Sequence, residues 1–154
     1  MRLRRALGTE ASALAELAVR SKGHWPYPPE FLARFAATLG MSAEVVATNE
    51  VWVATRGGEL RGFVTLLHRA DRTILDDLWL EPDEIGRGTG RLLFDHARTR
   101  AAAAGARTLE WEAEPYAAGF YERMGGVVVG MVDSPLGRPL PLMRIPVGAS
   151  WAPC

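Results

Sequence analysis

The sequence predicts an α/β fold, a sheet of about seven short strands with helices packed against it. The first supporting observation is that short apolar segments, bounded by turn residues, recur along the chain as they do in strands. The second is that stretches with apolar residues at helical spacing separate several of these segments. The third is the length, because 154 residues suffice for one domain with a core and are too few for two. We therefore expect a single domain over residues 1–154.

The N-terminal part is predicted to form one strand followed by helices. Charged and apolar residues alternate over residues 2–6, which indicates a half-buried strand. Thr9 is the predicted N-cap of the first helix and Gly23 its end. Pro29 suits the first turn of a second helix, and Ser42 is the predicted cap of a short third helix.

A meander of strands comes next, and then a helix, a strand, a second helix and two final strands. The turn at 56–59 places two glycines between two apolar runs, which is typical of a hairpin. Gly105 is a natural residue to follow the end of the helix that begins at about Arg91. The remaining predicted strands are 51–55, 60–67, 73–80, 108–114, 127–132 and 140–147, and the remaining predicted helices are 91–104 and 116–124.

Composition and charge exclude several classes of function. Eighteen basic residues balance eighteen acidic ones, so the chain has no electrostatic footprint for nucleic acid. No apolar run approaches the roughly 18 residues that a membrane span requires. Cys154 is the only cysteine, so an internal disulfide is impossible, and no metal-ligand cluster is visible. We expect a reducing, cytoplasmic setting, with no metal, no nucleic acid and no membrane as partner.

Residues 86–90, Gly-Arg-Gly-Thr-Gly, stand between an apolar strand and the start of a helix. Alternate glycines allow a tight turn whose N–H groups point inward, and the helix N-terminus adds partial positive charge, so a phosphate cradle is predicted. A P-loop needs Lys-Ser or Lys-Thr after its last glycine, where Arg91 and Leu92 stand. A dinucleotide fingerprint needs a further Gly or Ala where Leu93 or Arg91 stands. Both of these common cradles are excluded.

The residues around this loop follow a longer pattern. Residues 78–82 read Leu-Trp-Leu-Glu-Pro, three residues follow, and residues 86–93 read Gly-Arg-Gly-Thr-Gly-Arg-Leu-Leu. This segment resembles the acetyl-CoA loop of the GNAT N-acetyltransferases. That family usually has Arg/Gln-x-x-Gly-x-Gly/Ala here, and the present chain matches at Gly88 and Gly90 but has Ile85 at the first position.

A second motif of the same family occurs further along the chain. Ala117, Tyr121 and Gly125 match it, with Glu114 in place of the usual Asn and Gly126 in place of the usual aromatic residue. The order of the predicted elements also matches the family over the whole chain. The resemblance implies the GNAT acyl-CoA N-acyltransferase fold, whose mixed, mostly antiparallel sheet splays between its fourth and fifth strands.

The resemblance implies acetyl-CoA as cosubstrate, with no metal. The pyrophosphate is expected on the backbone N–H groups of the glycine loop, and the pantetheine arm beside the strand that precedes it. The residues implied to bind acetyl-CoA are Leu78, Trp79, Leu80, Gly86, Arg87, Gly88, Thr89, Gly90, Arg91 and Tyr121.

The implied reaction is direct attack of an amine on a thioester. An alkylamine has a pKa of about 10.4, so it must lose a proton first, and Asp76 and Asp77 are the candidate bases. Adjacent strand residues face opposite sides, so one of the two is expected to face the acceptor. Tyr121 is implied as the general acid for the leaving thiolate, and the N–H of Leu80 as the oxyanion donor. The second-rank candidates for the base are Glu112 and Glu114.

The acceptor is expected to be a primary amine, most simply that of a small molecule. Resemblance places His24, Trp25 and Tyr27 at the acceptor lid, while Trp25 and Tyr27 are equally consistent with packing between two helices. Two alternatives stay open: a module that binds acyl-CoA without turnover, and an acetyltransferase acting on protein lysines or N-termini. The family also includes homodimers, so this assembly is one option.

Overall fold

A computed structural model describes the strands and helices of residues 1–148, and Cys154 lies outside the described residues. Within residues 1–148, no helix has both the length and the apolar character needed to cross a membrane. The strands are β1 (Arg2–Arg5), β2 (Glu50–Arg56), β3 (Glu59–His68), β4 (Arg72–Leu80), β5 (Thr108–Glu112), β6 (Val127–Val132) and β7 (Leu140–Pro146). The helices are α1 (Ala11–Lys22), α2 (Pro29–Thr38), α3 (Ala43–Thr48), α4 (Thr89–Ala103) and α5 (Ala118–Arg123). Short 3₁₀ turns cover Gly8–Glu10, Pro82–Glu84 and Pro115–Ala117.

The strands form one seven-stranded sheet in the order β1-β2-β3-β4-β5-β7-β6. The pairs β1–β2, β5–β7 and β6–β7 are antiparallel, and β4–β5 is parallel. The parallel pairs run from Arg72 with Thr108 to Ile74 with Glu110, whereas β4 continues to Leu80. The predicted mixed, mostly antiparallel sheet is therefore confirmed, and the described parallel pairing is confined to the start of β4.

Packing divides the chain into two compact units, and the first consists of Met1–Thr65 and Asp77–Phe94. Its helices begin where the sequence predicts: α2 at Pro29, and α3 after Ser42, whose hydroxyl accepts the Val45 N–H at 3.2 Å. Gly23 is the residue after α1 ends, as expected. The core of this unit is formed by buried residues of α1, β2, β3 and the start of α4: Leu14, Leu17, Ala18, Val51, Val53, Phe63, Val64, Leu93 and Phe94.

The second unit consists of Leu66–Asp76 and the described part of the chain from Asp95 onward. Strand β6 lies at the edge of the sheet, next to β7, and exposes several apolar side chains. The core of this unit is formed by Leu66, Leu75, Ala97, Ala101, Leu109, Trp111, Met143 and Ile145.

Two predicted helix starts are wrong. Thr9 does not cap α1, because residues Gly8–Glu10 form a 3₁₀ turn in which the Glu10 carboxylate accepts the Leu7 N–H at 2.8 Å. Helix α4 begins at Thr89 rather than Arg91, because the Leu92 N–H already bonds to the Gly88 carbonyl at 3.1 Å.

The helix predicted over 116–124 is shorter than expected. Pro115 opens a 3₁₀ turn, and the Glu114 carboxylate caps it by accepting the Tyr116 N–H at 2.6 Å. The α-helix then covers only Ala118–Arg123. Glu114 thus performs locally the capping that an Asn at this position also supports.

The Trp111 ring lies directly against Gly126 in the second unit. A Cβ at Gly126 would lie 2.8 Å from Trp111 Cζ2 and 2.9 Å from Cη2. We expect Gly126→Ala to lower the free energy of unfolding by about 1–3 kcal/mol, because this overpacking must displace a large buried ring. Thermal unfolding followed by circular dichroism measures the loss.

Gly130→Ala is the matched control, since within residues 1–148 no atom beyond Gly130 and its two chain neighbours lies within 4 Å of the position that its Cβ would take. We expect this change to stay within about 0.5 kcal/mol of the wild type. Equal losses in the two variants would contradict the steric explanation.

Candidate active site

The glycine loop lies between the 3₁₀ turn Pro82–Glu84 and α4, in the first unit. Gly86 and Gly88 adopt φ values of +82° and +90°, which residues with a side chain rarely adopt. Apart from each glycine and its two chain neighbours, no atom of the described chain lies within 4 Å of the Cβ position at either glycine. The Thr89 and Gly90 N–H groups belong to the first turn of α4, where no intrahelical carbonyl is available. The loop therefore presents an open face beside a helix N-terminus, as a phosphate cradle requires.

The Glu84 carboxylate anchors this loop from the interior. It is fully buried and accepts hydrogen bonds from Thr89 Oγ1 at 2.6 Å, from Arg61 Nε at 2.9 Å and from an Arg56 guanidinium N–H. Burial of the carboxylate works to raise its pKa, but the three hydrogen bonds outweigh it and lower the pKa to about 2. Glu84 is thus an ionised buried group at neutral pH, and the sequence analysis did not identify it.

The two arginines next to the loop glycines, Arg87 and Arg91, can offer an anion their side chains. The Arg87 N–H donates to the Glu84 carbonyl at 3.2 Å, so it closes the turn. The side chains of Arg87 and Arg91 are both on the exposed surface. Their guanidinium groups are therefore better placed than the Arg87 N–H to add contacts to an anion.

The end of β4 positions the residues predicted to line the pantetheine arm. Leu80 is buried, and its N–H donates to Ser21 Oγ at 3.3 Å, so a hydroxyl from α1 occupies the predicted oxyanion donor. Trp79 packs edge-on against Phe35, with ring centroids 5.3 Å apart. Leu78 is half-buried.

A lysine inside an aromatic cluster is the second feature that the sequence analysis missed. Lys22, at the end of α1, is only 6% exposed. Its ammonium lies 4.9 Å from the Tyr27 ring centroid, 5.2 Å from that of Phe35, and 5.7 Å from those of Phe31 and Trp79. Cation–π contacts of this kind are worth about 0.5–2 kcal/mol each, so they hold α1, the following loop, α2 and β4 together in the first unit.

Of the three predicted lid residues, Tyr27 belongs to this cluster. Tyr27 stacks on Phe31 with ring centroids 4.3 Å apart, and it faces the Lys22 ammonium. Trp25 is half-buried and meets the exposed His24 edge-on at 4.7 Å. Trp25 and Tyr27 are thus half-buried, and Tyr27 packs between Lys22 of α1 and Phe31 of α2.

The two aspartates of β4 have different surroundings. Asp76 is exposed, yet partial desolvation raises its pKa above the ordinary 3.8, with the positive charge of Arg69 opposing the rise. Asp77 is half-buried, and its Oδ1 accepts the Trp79 Nε1–H at 3.0 Å. The raised pKa makes the Asp76 carboxylate a stronger base than an ordinary aspartate.

Tyr121 is buried in the second unit. Its ring packs against Trp111 at 5.0 Å and Phe120 at 5.1 Å between centroids. Burial, and secondarily the negative charge of Glu114, raises the pKa of the Tyr121 hydroxyl above its ordinary 10.0. The hydroxyl consequently keeps its proton throughout the neutral range.

The predicted site residues divide between the two units. The glycine loop, residues 78–80, Asp77 and the predicted lid belong to the first, whereas Asp76, Tyr121 and the second-rank acids belong to the second. Of those acids, Glu112 is exposed and Glu114 caps the turn at Pro115. In residues 1–148, no group of three or more His, Cys, Asp or Glu side chains is arranged to hold a metal.

Comparison with known proteins gives one consistent family. A family model described as "Acetyltransferase (GNAT) domain" matches residues 47–125, just over half of the chain. The peptidyl-lysine N-acetyltransferase YjaB of Salmonella typhimurium is 37% identical over 97 residues, which are 62% of this chain and 63% of that protein. The chain thus matches less than two thirds of the length of this curated relative.

Two solved structures are similar over nearly the whole chain. A GCN5-related N-acetyltransferase from Rhodopseudomonas palustris has a TM-score of 0.80 at 26% identity, covering 95% of each chain. The PaiA N-acetyltransferase from Thermoplasma acidophilum, solved with coenzyme A, has a TM-score of 0.76 at 19% identity, covering 93% of this chain and 96% of that one. The second likeness concerns the fold alone.

Proposed function

Since this chain belongs to the GNAT N-acetyltransferase family, we propose that it transfers the acetyl group of acetyl-CoA to a primary amine. The observation that carries the proposal is the glycine loop. Gly86 and Gly88 leave an open face beside the first turn of α4, inside the segment that the family model matches. Proteins of this fold have been solved with coenzyme A or acetyl-CoA, which supports the same cosubstrate here.

The pyrophosphate is proposed to bind at residues 87–91. The N–H groups of Thr89 and Gly90 and the partial positive charge of the helix N-terminus would face it. The exposed guanidinium groups of Arg87 and Arg91 would add charge-assisted contacts. Ile85 replaces the polar residue usual in the family, so backbone donors carry more of the binding in this chain.

The chemical step is proposed as direct attack. The ammonium group first loses one proton to a carboxylate, the neutral amine nitrogen then forms a bond to the thioester carbonyl carbon, and the C–S bond breaks. Tyr121 is the proposed proton donor to the leaving thiolate, because its hydroxyl is protonated in the neutral range, and the second amine proton, lost as the amide forms, restores it. The Leu80 N–H is the proposed oxyanion donor, and it would have to exchange its 3.3 Å bond to Ser21 for one to the substrate.

Two classes of acceptor are supported by different observations. The acidic residues Asp76 and Asp77 favour a cationic amine, which a polyamine or an aminoglycoside supplies. The name of the curated relatives, peptidyl-lysine N-acetyltransferase, favours a lysine side chain of a protein. Both acceptors present the same alkylamine to the thioester, so the proposed chemistry is common to them.

An amine panel tests the function and separates the acceptors. Release of free CoA from acetyl-CoA is followed with a thiol-reactive dye, first with the protein alone and then with spermidine, an aminoglycoside, free lysine and a lysine-containing peptide. We expect at least one amine to accelerate release at least about tenfold. Stimulation by the peptide alone would assign a protein acceptor. CoA binding without stimulation by any amine or peptide would instead favour a non-catalytic acyl-CoA module.

Asp76→Asn is expected to reduce activity most at low pH. The pKa of Asp76 lies above its ordinary value, so the carboxylate is a better proton acceptor than most aspartates. Because an alkylamine has a pKa of about 10.4, the need for a base declines as the pH rises toward that value. The variant should therefore recover toward wild-type activity at high pH, which a pH–rate profile measures.

Asp77→Asn is the matched control, because the amide oxygen can still accept the Trp79 indole N–H. We expect it to follow the wild-type profile closely. A raised acceptor KM with unchanged kcat in Asp76→Asn would instead assign charge attraction to Asp76. Equal, small effects in both variants would exclude both as the base and leave Glu112 or Glu114.

A further inference from the structure

Glu84 holds the glycine loop through both its backbone carbonyl and its side-chain carboxylate. Its backbone carbonyl accepts the Arg87 N–H at 3.2 Å, and its side chain accepts the Thr89 hydroxyl at 2.6 Å. Two of the four residues from Arg87 to Gly90 are therefore held directly by Glu84. Thr89 is itself buried, so this bond has no competition from bulk water.

The carboxylate is in turn held by the β2–β3 hairpin. Arg56 is the last residue of β2 and Arg61 the third of β3, and both guanidinium groups donate to Oε1, which leaves Oε2 for Thr89. Arg61 also pairs with the exposed Asp83. The loop is thus fixed to two strands of the sheet through one buried ionised group.

This arrangement resolves an electrostatic conflict. A lone buried carboxylate next to a phosphate cradle would repel the ligand. Here two guanidinium groups neutralise it, so the Thr89 hydroxyl can be oriented by an anion without leaving a net negative charge under the loop. A neutral acceptor would form a weaker bond to the same hydroxyl.

We propose that Glu84 is a positioning residue for the pyrophosphate of acetyl-CoA, acting through Thr89. The Glu84–Thr89 bond ties the first residue of α4 to a carboxylate anchored on two strands, and so restrains the backbone whose Thr89 and Gly90 N–H groups are proposed to face the pyrophosphate. This inference rests on the proposed function, since it concerns the same cradle. In this chain Ile85 replaces the polar residue that usually begins the family motif. Glu84, a buried acid, preorganises the loop instead.

The competing explanation is that Glu84 only stabilises the fold. The two explanations differ in their dependence on the pyrophosphate. S-Acetylpantetheine carries the same thioester and arm as acetyl-CoA but no pyrophosphate, so it does not use the cradle. The ratio of kcat/KM for acetyl-CoA to kcat/KM for S-acetylpantetheine therefore reports on the part of acetyl-CoA beyond the arm, which is the pyrophosphate with its adenosine 3′-phosphate. Of these groups, the pyrophosphate is the one proposed to bind the cradle.

The variants are Thr89→Val, which removes the hydroxyl at nearly constant shape, Thr89→Ser, which keeps it, and Glu84→Gln. Calorimetric titration with CoA and the ratio of the two thioesters are measured for each folded variant. We expect Thr89→Val to weaken CoA binding and to lower the ratio, each at least about fivefold, as the loss of one hydrogen bond predicts. Thr89→Ser should retain most of both, and Glu84→Gln should resemble Thr89→Val.

Thr89→Val keeps the test decisive if Glu84→Gln does not fold. Wild-type CoA affinity and an unchanged ratio in Thr89→Val would overturn the proposal. Equal loss with both thioesters would also overturn it, because a purely structural role affects both alike. If the wild-type protein itself binds no CoA, the proposed function fails and this inference fails with it, an outcome that the wild-type titration identifies by itself.

Discussion

Acetyl-CoA binding should be lost in Gly88→Glu while the protein remains folded. Gly88 has φ +90° and open space around its Cβ position, so a glutamate side chain there would extend into the face proposed for the pyrophosphate. Two like charges about 4 Å apart repel by about 4 kcal/mol in an effective dielectric constant of about 20, or roughly a thousandfold in affinity. Calorimetric titration with acetyl-CoA measures the loss, and circular dichroism confirms the fold.

The positive φ makes any side chain at this position unfavourable by about 1–2 kcal/mol, so strain needs a control. Gly57→Glu provides it, because Gly57 also has a positive φ, +60°, and open space, but lies in the turn of the β2–β3 hairpin. Gly57→Glu should bind acetyl-CoA like the wild type. Undiminished affinity in Gly88→Glu, or an equal loss in Gly57→Glu, would contradict the site assignment.

Tyr121→Phe should lower kcat at least about tenfold with little change in the KM for acetyl-CoA. General acid catalysis typically contributes roughly 10²- to 10⁴-fold, and the variant removes only the hydroxyl from a buried ring. The pKa of this hydroxyl lies above 10.0, so it remains a donor over the whole neutral range, and its ionisation should not limit the rate below about pH 10. Steady-state kinetics with the best amine of the panel measures the effect.

Tyr116→Phe is the matched control, because it makes the same change five residues earlier at a side chain that is 50% exposed. It should retain full turnover. Thermal unfolding of Tyr121→Phe separates catalysis from packing, since the ring contacts with Trp111 and Phe120 do not need the hydroxyl. Full turnover in Tyr121→Phe would show that Tyr121 only contributes to packing.

The backbone of the loop could be predicted because its signals are local. Alternate glycines, a preceding apolar strand and a following helical stripe lie within about thirty residues of one another. The same holds for Ser42 and Pro29, where one residue type determines a cap or a first turn. The predicted cap at Thr9 is wrong because the Glu10 side chain, one residue later, accepts the Leu7 N–H. The chain therefore forms a 3₁₀ turn before α1 begins.

The contacts that anchor the loop could not be predicted because they join residues that are far apart in the sequence. Glu84 follows Pro82 and Asp83, a composition typical of an exposed turn, and its two arginines precede it by 28 and 23 residues. Lys22 is similar, because a lysine near a helix end usually indicates solvent exposure, whereas its aromatic partners extend from Tyr27 to Trp79. The only local indication that Lys22 is buried is its position four residues after the buried Ala18.

The contact between Trp111 and Gly126 restricts how this sequence can diverge. The family usually has an aromatic residue where this chain has Gly126, and here the indole of β5 occupies the space above that glycine. The side chains at positions 111 and 126 therefore share one space, so that a bulky residue at one position requires a small residue at the other. Homologues in which position 126 is aromatic should carry a smaller residue at position 111, and the two substitutions should be acquired together during evolution.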